Sequence, residues 1–148
     1  MKVIELSLGS SEVKAVAVLL EKEAPKTCDA FWRVLPMSHQ AVHASWSGEC
    51  IIVQPCGVVL ETGSSGENET IFIGPGEIAL FASIQELLIF YGRGQPRWRS
   101  GPTPVTVFAR IVDGLGEFAS ECTKMTREGA KDIRVRKTEL SPSRIRLS

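Results

Sequence analysis

This chain of 148 residues has few of the groups on which many protein chemistries depend. It contains two histidines and one tyrosine, and its four cysteines lack the close pairing of a zinc knuckle or a redox motif. The 17 basic residues equal the 17 acidic residues, so no net field attracts nucleic acid or an anionic membrane. No apolar run approaches the roughly 20 residues that span a bilayer. We therefore predict no nucleic-acid partner and no membrane partner.

Local signatures of cofactor and nucleophile sites are also missing. Gly92-Arg-Gly94 does not precede a helix as a phosphate loop would, and no Ser–His–Asp arrangement has a recognisable local signature. His39 and His43 are four residues apart, which is the spacing of a metal-binding pair on one face of a helix. Residues 37–41 are instead predicted to cross from a loop into a strand, so the two histidines do not form such a pair. The sequence therefore predicts no cofactor and no metal.

Short apolar runs between glycine, proline and polar turns dominate what is present, and they predict about eight strands. Two amphipathic stripes interrupt them, one over Ala24–Leu35 and one from Leu115 through Met125 to about Arg127. Strand, helix and strand do not alternate, so we expect an antiparallel barrel capped by helices rather than a parallel sheet. The predicted strands are Val3–Leu8, Glu12–Leu20, Ala41–Ser47, Cys50–Gln54, Glu69–Ile73, Glu77–Phe81, Glu86–Tyr91, Val105–Ile111 and Ile133–Arg136.

The length suits one domain with a core of its own. We place this domain at residues 1–137 and predict a polar, flexible tail at residues 138–148. The first four residues are followed by Glu5 and Ser7 rather than by the apolar core of a signal peptide. We therefore expect a cytoplasmic protein whose cysteines are reduced.

Two stretches resemble cyclophilins in the right order along the chain: residues 23–35, which open the first helix, and residues 107–115, a strand and turn. Four stretches together resemble a bacterial and archaeal family of small cyclophilin-like proteins classed as a domain of unknown function: Ala24–Leu35, Val42–Glu49, Gly76–Ile78 and Glu128–Ile133. The resemblance runs from about Val3 to Lys137. It implies a mainly β fold, a cyclophilin-like antiparallel β-barrel of about eight strands with two capping α-helices.

The resemblance to cyclophilins does not extend to their catalytic residues. Cyclophilins use an arginine that follows a Phe-His pair, whereas this chain reads Val42-His43-Ala44, with alanine in the arginine's position. The Gln-Gly-Gly stretch of cyclophilins is replaced here by Gln54-Pro-Cys-Gly57. We therefore disfavour a peptidyl-prolyl cis-trans isomerase, because a fold does not carry an activity by itself.

The strand around His43 is the best candidate for a small-molecule site. His43 and Glu49 lie on either side of Gly48, which marks a bulge, and they are candidate catalytic residues acting as base and orienter or as acid and base. The alternative is a hydrogen-bonded strand histidine and a surface carboxylate. Trp46 and Tyr91, the only tyrosine, are predicted to bind the substrate, with the tyrosine hydroxyl facing a cavity.

The loop after Tyr91 is rich in arginine. Arg93 and Arg97 are predicted to hold a carboxylate or planar anion, and Trp98 offers a stacking face. The alternative is a solvated loop that pairs with acidic residues, namely Glu61, Glu67 and Glu69.

Two function classes stay open, and the sequence does not decide whether the protein is an enzyme. The first is a small-molecule enzyme or binding protein, for which the family resemblance suggests small cyclic amides or carboxylates as ligands. The second is a non-catalytic peptide-binding module. Residues 78–81 and 87–90 are apolar on both strand faces, which predicts a homodimer with its interface on these strands.

Overall fold

The structure is a computed structural model that describes residues 1–10, 12–61, 63 and 66–140. The described part contains two α-helices, α1 (Pro25–Arg33) and α2 (Leu115–Glu128), and eleven strands. The strands are β1 (Val3–Leu8), β2 (Lys14–Leu19), β3 (Met37–His43), β4 (Gly48–Val53), β5 (Glu69–Thr70), β6 (Glu77–Phe81), β7 (Glu86–Gly94), β8 (Arg97–Trp98), β9 (Gly101–Pro102), β10 (Val105–Asp113) and β11 (Lys131–Thr138).

Eight antiparallel strands close into a barrel in the order β2-β1-β11-β3-β4-β7-β6-β10. The barrel closes because β10 pairs back with β2, with Ala109 opposite Leu19 and Ile111 opposite Ala17. The short β5 adds to β10, and β8 and β9 form a separate hairpin. The predicted mainly β fold, an antiparallel barrel of about eight strands with two helices, is confirmed.

The barrel interior is filled from all eight strands and both helices. Pro25 opens α1, where its missing N–H costs no hydrogen bond, and the Phe31 ring packs 4.8 Å from that of Phe108. α2 packs against β1, β2, β3, β4 and β7 and buries Phe118 and Cys122 in the interior, which places it across one end of the barrel. All four cysteines are buried free thiols.

The outer face of β6 and β7 carries a second apolar cluster. Along β7, Leu87 and Ile89 point into the barrel, whereas Leu88 and Phe90 join the outer cluster. Trp98, on the β8–β9 hairpin, packs on this outer cluster. The face that suggested a homodimer is therefore covered by the chain's own hairpin, which removes the physical reason for an interface centred there. The oligomeric state itself stays a prediction.

Strand boundaries around the candidate site differ from the sequence-based prediction. The strand expected at Ala41–Ser47 begins at Met37 and ends at His43, and the next begins at Gly48 instead of Cys50. The earlier start follows from pairing with β11, and the glycine conformation at Gly48 (φ 86°) ends the turn. At the C-terminus β11 continues through Thr138, and residues 141–148 of the predicted tail lie outside the described residues. Neither described helix is both long and apolar enough to cross a membrane.

Candidate functional site

His43 and Tyr91 meet on the interior side of the barrel wall. His43 ends β3, Tyr91 lies two strands away on β7, and the Nε2 atom of His43 is 2.7 Å from the Tyr91 hydroxyl oxygen. The two rings pack edge to face with centroids 5.7 Å apart. His43 Nδ1 lies 2.9 Å from the Ala44 carbonyl oxygen, which can only accept a hydrogen bond. This contact assigns a proton to Nδ1, so Nε2 of the neutral ring accepts the Tyr91 O–H.

Tyr91 is held as a neutral phenol. Its side chain is 5% exposed, and burial raises its pKa above the ordinary value. The negative charge of Glu49 adds to the rise in the pKa. The hydroxyl is therefore protonated at neutral pH and can donate.

Glu49 lies at a bulge of β4, where this strand pairs with β7. The register between β4 and β7 shifts between Gly48 and Cys50, and Glu49 Oε1 accepts the backbone N–H of Arg93 at 2.9 Å. The carboxylate lies directly over Gly92, where an added Cβ would be only 2.6 Å from Oε1. Glycine at position 92 thus makes room for Glu49. The structure brings His43 and Tyr91 into contact, whereas the Glu49 carboxylate lies against Gly92, on the face of β7 opposite Tyr91.

The turn before β4 holds the arginine-rich loop in place. Ser47 is buried, and its hydroxyl both accepts the Arg97 N–H at 3.1 Å and donates to the Arg97 carbonyl at 3.3 Å. Its own carbonyl accepts the Gln95 N–H at 2.9 Å. Trp46 is 52% exposed, and the Arg99 guanidinium carbon lies 5.8 Å from its ring centroid. Trp46 and the loop thus form one surface unit.

Arg93 and Arg97 are exposed at this surface, and Arg97 Nη1 donates to the Gln95 side chain at 3.3 Å. Glu67, one of the acidic residues considered as a partner of the loop, instead accepts hydrogen bonds at the start of α1. Its carboxylate receives the backbone N–H groups of Lys26 and Thr27, both at 2.9 Å. It therefore caps a helix that has no side-chain cap of its own at Ala24.

Trp98 is the predicted site residue that the structure places elsewhere. Its ring packs 4.7 Å from that of Phe81, and it hydrogen-bonds the carboxylate of Glu86. Glu86 and Trp98 lie on the outer side of β7, opposite the interior side where Tyr91 points. Burial raises the pKa of Glu86, and the Trp98 hydrogen bond partly offsets this rise. Successive residues of β7 point to opposite faces, so the Trp98 ring, which packs on the outer face, lies away from Tyr91 and His43.

Concave regions lie elsewhere on the surface, and neither His43 nor Tyr91 lines the two that are described next. One, of about 550 Å³, is lined by charged residues of α2 and β11 whose side chains pair with one another, such as Lys131 with Glu121. The other, of about 530 Å³, lies on β3 and β4 and is lined by His39, Gln40, Val42, Ile52, Val53, Gln54 and Pro55. Within the described ranges, no three His, Cys, Asp or Glu side chains converge to hold a metal ion.

Fold and geometry together define a small antiparallel barrel protein with a polar histidine–tyrosine pair beside the helix that crosses one barrel end. The chain belongs to the family described as "Protein of unknown function (DUF3830)", which matches residues 6–137. This membership confirms the predicted small family without an established function. No curated protein matches the chain.

The solved structures that share the fold include the following two. McbB in complex with tryptophan has a TM-score of 0.72 and 19% sequence identity, with 93% of this chain and 45% of McbB covered. This chain therefore spans less than half the length of McbB. The solution structure of the hypothetical protein AF2241 from Archaeoglobus fulgidus has a TM-score of 0.65 and 19% identity, and covers 93% of this chain and 95% of that protein. At this identity the similarity shows the fold alone.

Proposed function

We propose that the protein binds, and acts on, a small molecule with a carboxylate or cyclic amide group at the His43–Tyr91 pair. The observation that carries the proposal is the 2.7 Å hydrogen bond between the imidazole and a buried, neutral phenol. A histidine joined to a proton-donating phenol is a general acid–base pair. A cyclic amide offers both a carbonyl acceptor and an N–H donor, which match these two groups.

The rim of the site supports an anionic or partly anionic ligand. Glu49 adds an acceptor, whereas Arg93, near the end of β7, and Arg97, in β8, present exposed guanidinium groups. Guanidinium groups bind carboxylates through two parallel hydrogen bonds. The roles proposed here are His43 as base, Tyr91 as acid, Glu49 as an orienting carboxylate and the arginines as anchors for a carboxylate.

The comparison with McbB supports the same ligand class at the level of the fold. McbB is described in complex with tryptophan, which is a small molecule that carries a carboxylate. The four buried free thiols are compatible with the proposed cytoplasmic location, where thiols are kept reduced.

A second candidate function is peptide binding at the β3–β4 groove. The paired positions between β3 and β4 are Val42–Ile52 and His43–Ile51, after which Pro55 follows without a backbone N–H. The groove of about 530 Å³ lies beside this short ladder. An extended peptide would add to β3 there as a further strand, with Val42 contacting its side chains.

Thermal unfolding with a ligand panel separates the two candidates. The panel contains tryptophan, succinate, hydantoin and an extended proline-containing peptide. A ligand at about 100 times its dissociation constant adds about 2.7 kcal/mol of stability, and we expect this for a carboxylate or cyclic amide. Tyr91→Phe should abolish the effect, while Trp98→Phe, on the opposite face of β7, should keep it.

Stabilisation by the peptide alone, lost in Val42→Lys and kept in Tyr91→Phe, would favour the second candidate. If no small molecule stabilises the parent protein, the proposed function is wrong.

A further inference from the structure

Two exposed aromatic residues flank the end of β7. Gly94, the last residue of β7, pairs with Gly48 on one side and with Ile73 on the other, both in antiparallel orientation. Trp46 and Phe72, which precede these two partners, therefore lie beyond the end of β7, on either side of the chain that leads into β8. Trp46 is 52% exposed and Phe72 is 81% exposed. Since paired strands lie about 4.8 Å apart, about 10 Å separates the two flanking segments.

Three arginines lie along the chain between these flanks. The side chains of Arg93, Arg97 and Arg99 are all exposed, and the Arg99 guanidinium carbon lies 5.8 Å from the centre of the Trp46 ring. Within the described ranges, none of the three arginines forms a salt bridge. The carboxylate of Glu49 instead accepts the Arg93 backbone N–H. This end of the barrel thus carries a local excess of positive charge, although the chain as a whole is neutral.

Hydrogen bonds hold both flanks in place. The buried Ser47 hydroxyl accepts the Arg97 N–H at 3.1 Å and donates to the Arg97 carbonyl at 3.3 Å, which ties the start of the β8–β9 hairpin to the turn before β4. On the other flank, the Thr70 hydroxyl oxygen accepts the Phe72 N–H at 2.9 Å. A surface that is ordered before binding loses less conformational entropy when a partner binds.

The surface formed in this way, the arginine rim, consists of Trp46, Phe72, Arg93, Arg97 and Arg99. We propose that the arginine rim binds an acidic segment of a partner protein, in which apolar side chains accompany the carboxylates. Guanidinium groups bind carboxylates through paired hydrogen bonds, and aromatic residues and arginine are enriched among the residues that dominate protein interfaces. The inference goes beyond the proposed function, in which Trp46, Phe72 and Arg99 have no role.

The dimensions and charge of the rim favour a polypeptide. Side chains on one face of an extended peptide recur about every 7 Å, so a short segment reaches from one aromatic ring across the guanidinium groups to the other. A nucleic acid is disfavoured, because its affinity depends on many phosphate contacts, whereas the rim offers three arginines on a chain with no net charge.

The test measures fluorescence anisotropy of a labelled peptide, Glu-Glu-Leu-Glu-Glu-Leu, mixed with the full chain. We expect saturable binding that weakens as the salt concentration rises from about 0.05 to 0.3 M, because exposed charges are screened by salt. The peptide Lys-Lys-Leu-Lys-Lys-Leu, which has the same pattern and the opposite charge, should not bind.

Variants locate the binding surface. Arg99→Gln should weaken binding about three- to fivefold, the loss expected for one exposed ion pair, and Phe72→Ser should weaken it because the peptide loses an apolar contact. Arg127→Gln removes the same charge from the exposed face of α2 and should have no effect. Tyr91→Phe and Val42→Lys, which test the two candidate functions above, should also leave binding of the acidic peptide unchanged.

Absence of saturable binding, or equal weakening in Arg99→Gln and Arg127→Gln, would overturn the proposal. Tighter binding of a single-stranded oligonucleotide than of the acidic peptide would overturn it in favour of a nucleic-acid surface. A dimer mass in light scattering that Phe72→Ser halves would overturn it in favour of a second copy of this chain. Peptide binding at the rim without stabilisation by any small molecule would support this proposal and contradict the proposed function alone.

Discussion

The hydrogen bond between His43 and Tyr91 can be measured by a double-mutant cycle on the free energy of unfolding. Tyr91→Phe removes only the hydroxyl of a ring that is 5% exposed, and His43→Ala removes the imidazole. The edge-to-face ring contact at 5.7 Å is present in both proteins that keep His43, so it cancels in the cycle. What remains is the coupling between the hydroxyl and Nε2.

We expect this coupling to be about 1 kcal/mol, because a neutral hydrogen bond in a folded protein contributes about that much net. The 2.7 Å distance and the burial of the tyrosine favour a full contribution, whereas the half-buried histidine can regain water when the hydroxyl is removed. Urea unfolding of the four proteins, with equal m-values, gives the number.

His39→Ala with Tyr91→Phe is the control cycle. His39 lies on the same strand opposite Ile133, and among the described residues it has no hydrogen bond to Tyr91. The losses of unfolding free energy caused by His39→Ala and Tyr91→Phe should add within about 0.5 kcal/mol. If the His43 pair is equally additive, the hydrogen bond does not form in solution and the acid–base assignment loses its basis.

Three further predictions concern other parts of the chain. Burial raises the pKa of the Glu86 carboxyl group above its ordinary value of 4.5, so the folded protein binds the carboxyl proton more tightly than the unfolded chain does. The stability that protonated Glu86 contributes is therefore present below pH 4.5 and is lost as the pH rises through the folded-state pKa. Glu86→Gln, which keeps an acceptor for Trp98, should therefore be more stable than the parent at pH 7 and lose this advantage at pH 4 in urea titrations. Glu67→Ala should lower the free energy of unfolding by about 2 kcal/mol, because the first turn of α1 and the buried Thr27 lose their acceptor. Leu88→Ala should lower it by about 3 kcal/mol without changing the mass measured by light scattering, because Leu88 is fully buried within one chain.

Each of these has its own contradicting result. A Glu86→Gln advantage that is equal at pH 4 and pH 7 would show that the carboxylate does not titrate differently on folding. Glu67→Gln keeps one acceptor oxygen and should lose less than Glu67→Ala; equal losses would argue against capping. A mass that falls by half in Leu88→Ala would restore the dimer interface on β6 and β7.

Local pattern was sufficient for the helices and for the class of fold. The stripe that predicted Ala24–Leu35 became α1 at Pro25–Arg33, and the stripe starting at Leu115 became α2, which runs to Glu128. Apolar period and proline position act within a few residues, so they can be read without the fold. The same holds for the short apolar runs that predicted an antiparallel barrel.

Strand ends and partners needed the tertiary structure. β3 begins at Met37 because β11 pairs with it, and β11 comes about 90 residues later in the chain. Likewise Glu67 reaches the start of α1 from 40 residues away, which no local capping pattern near Ala24 reveals.

For the candidate site, too, the residue types could be read from the sequence, whereas their arrangement depends on the tertiary structure. The sequence by itself identified His43, Glu49 and Tyr91 as the residue types that suit acid–base chemistry. The barrel joins His43 to Tyr91, whereas Glu49 bonds the Arg93 backbone. Trp98 is kept away from this pair because its hairpin folds onto the outer face of β7. Residue type is a local property, whereas the strand face and neighbour that a side chain meets depend on barrel closure and on where each loop folds back.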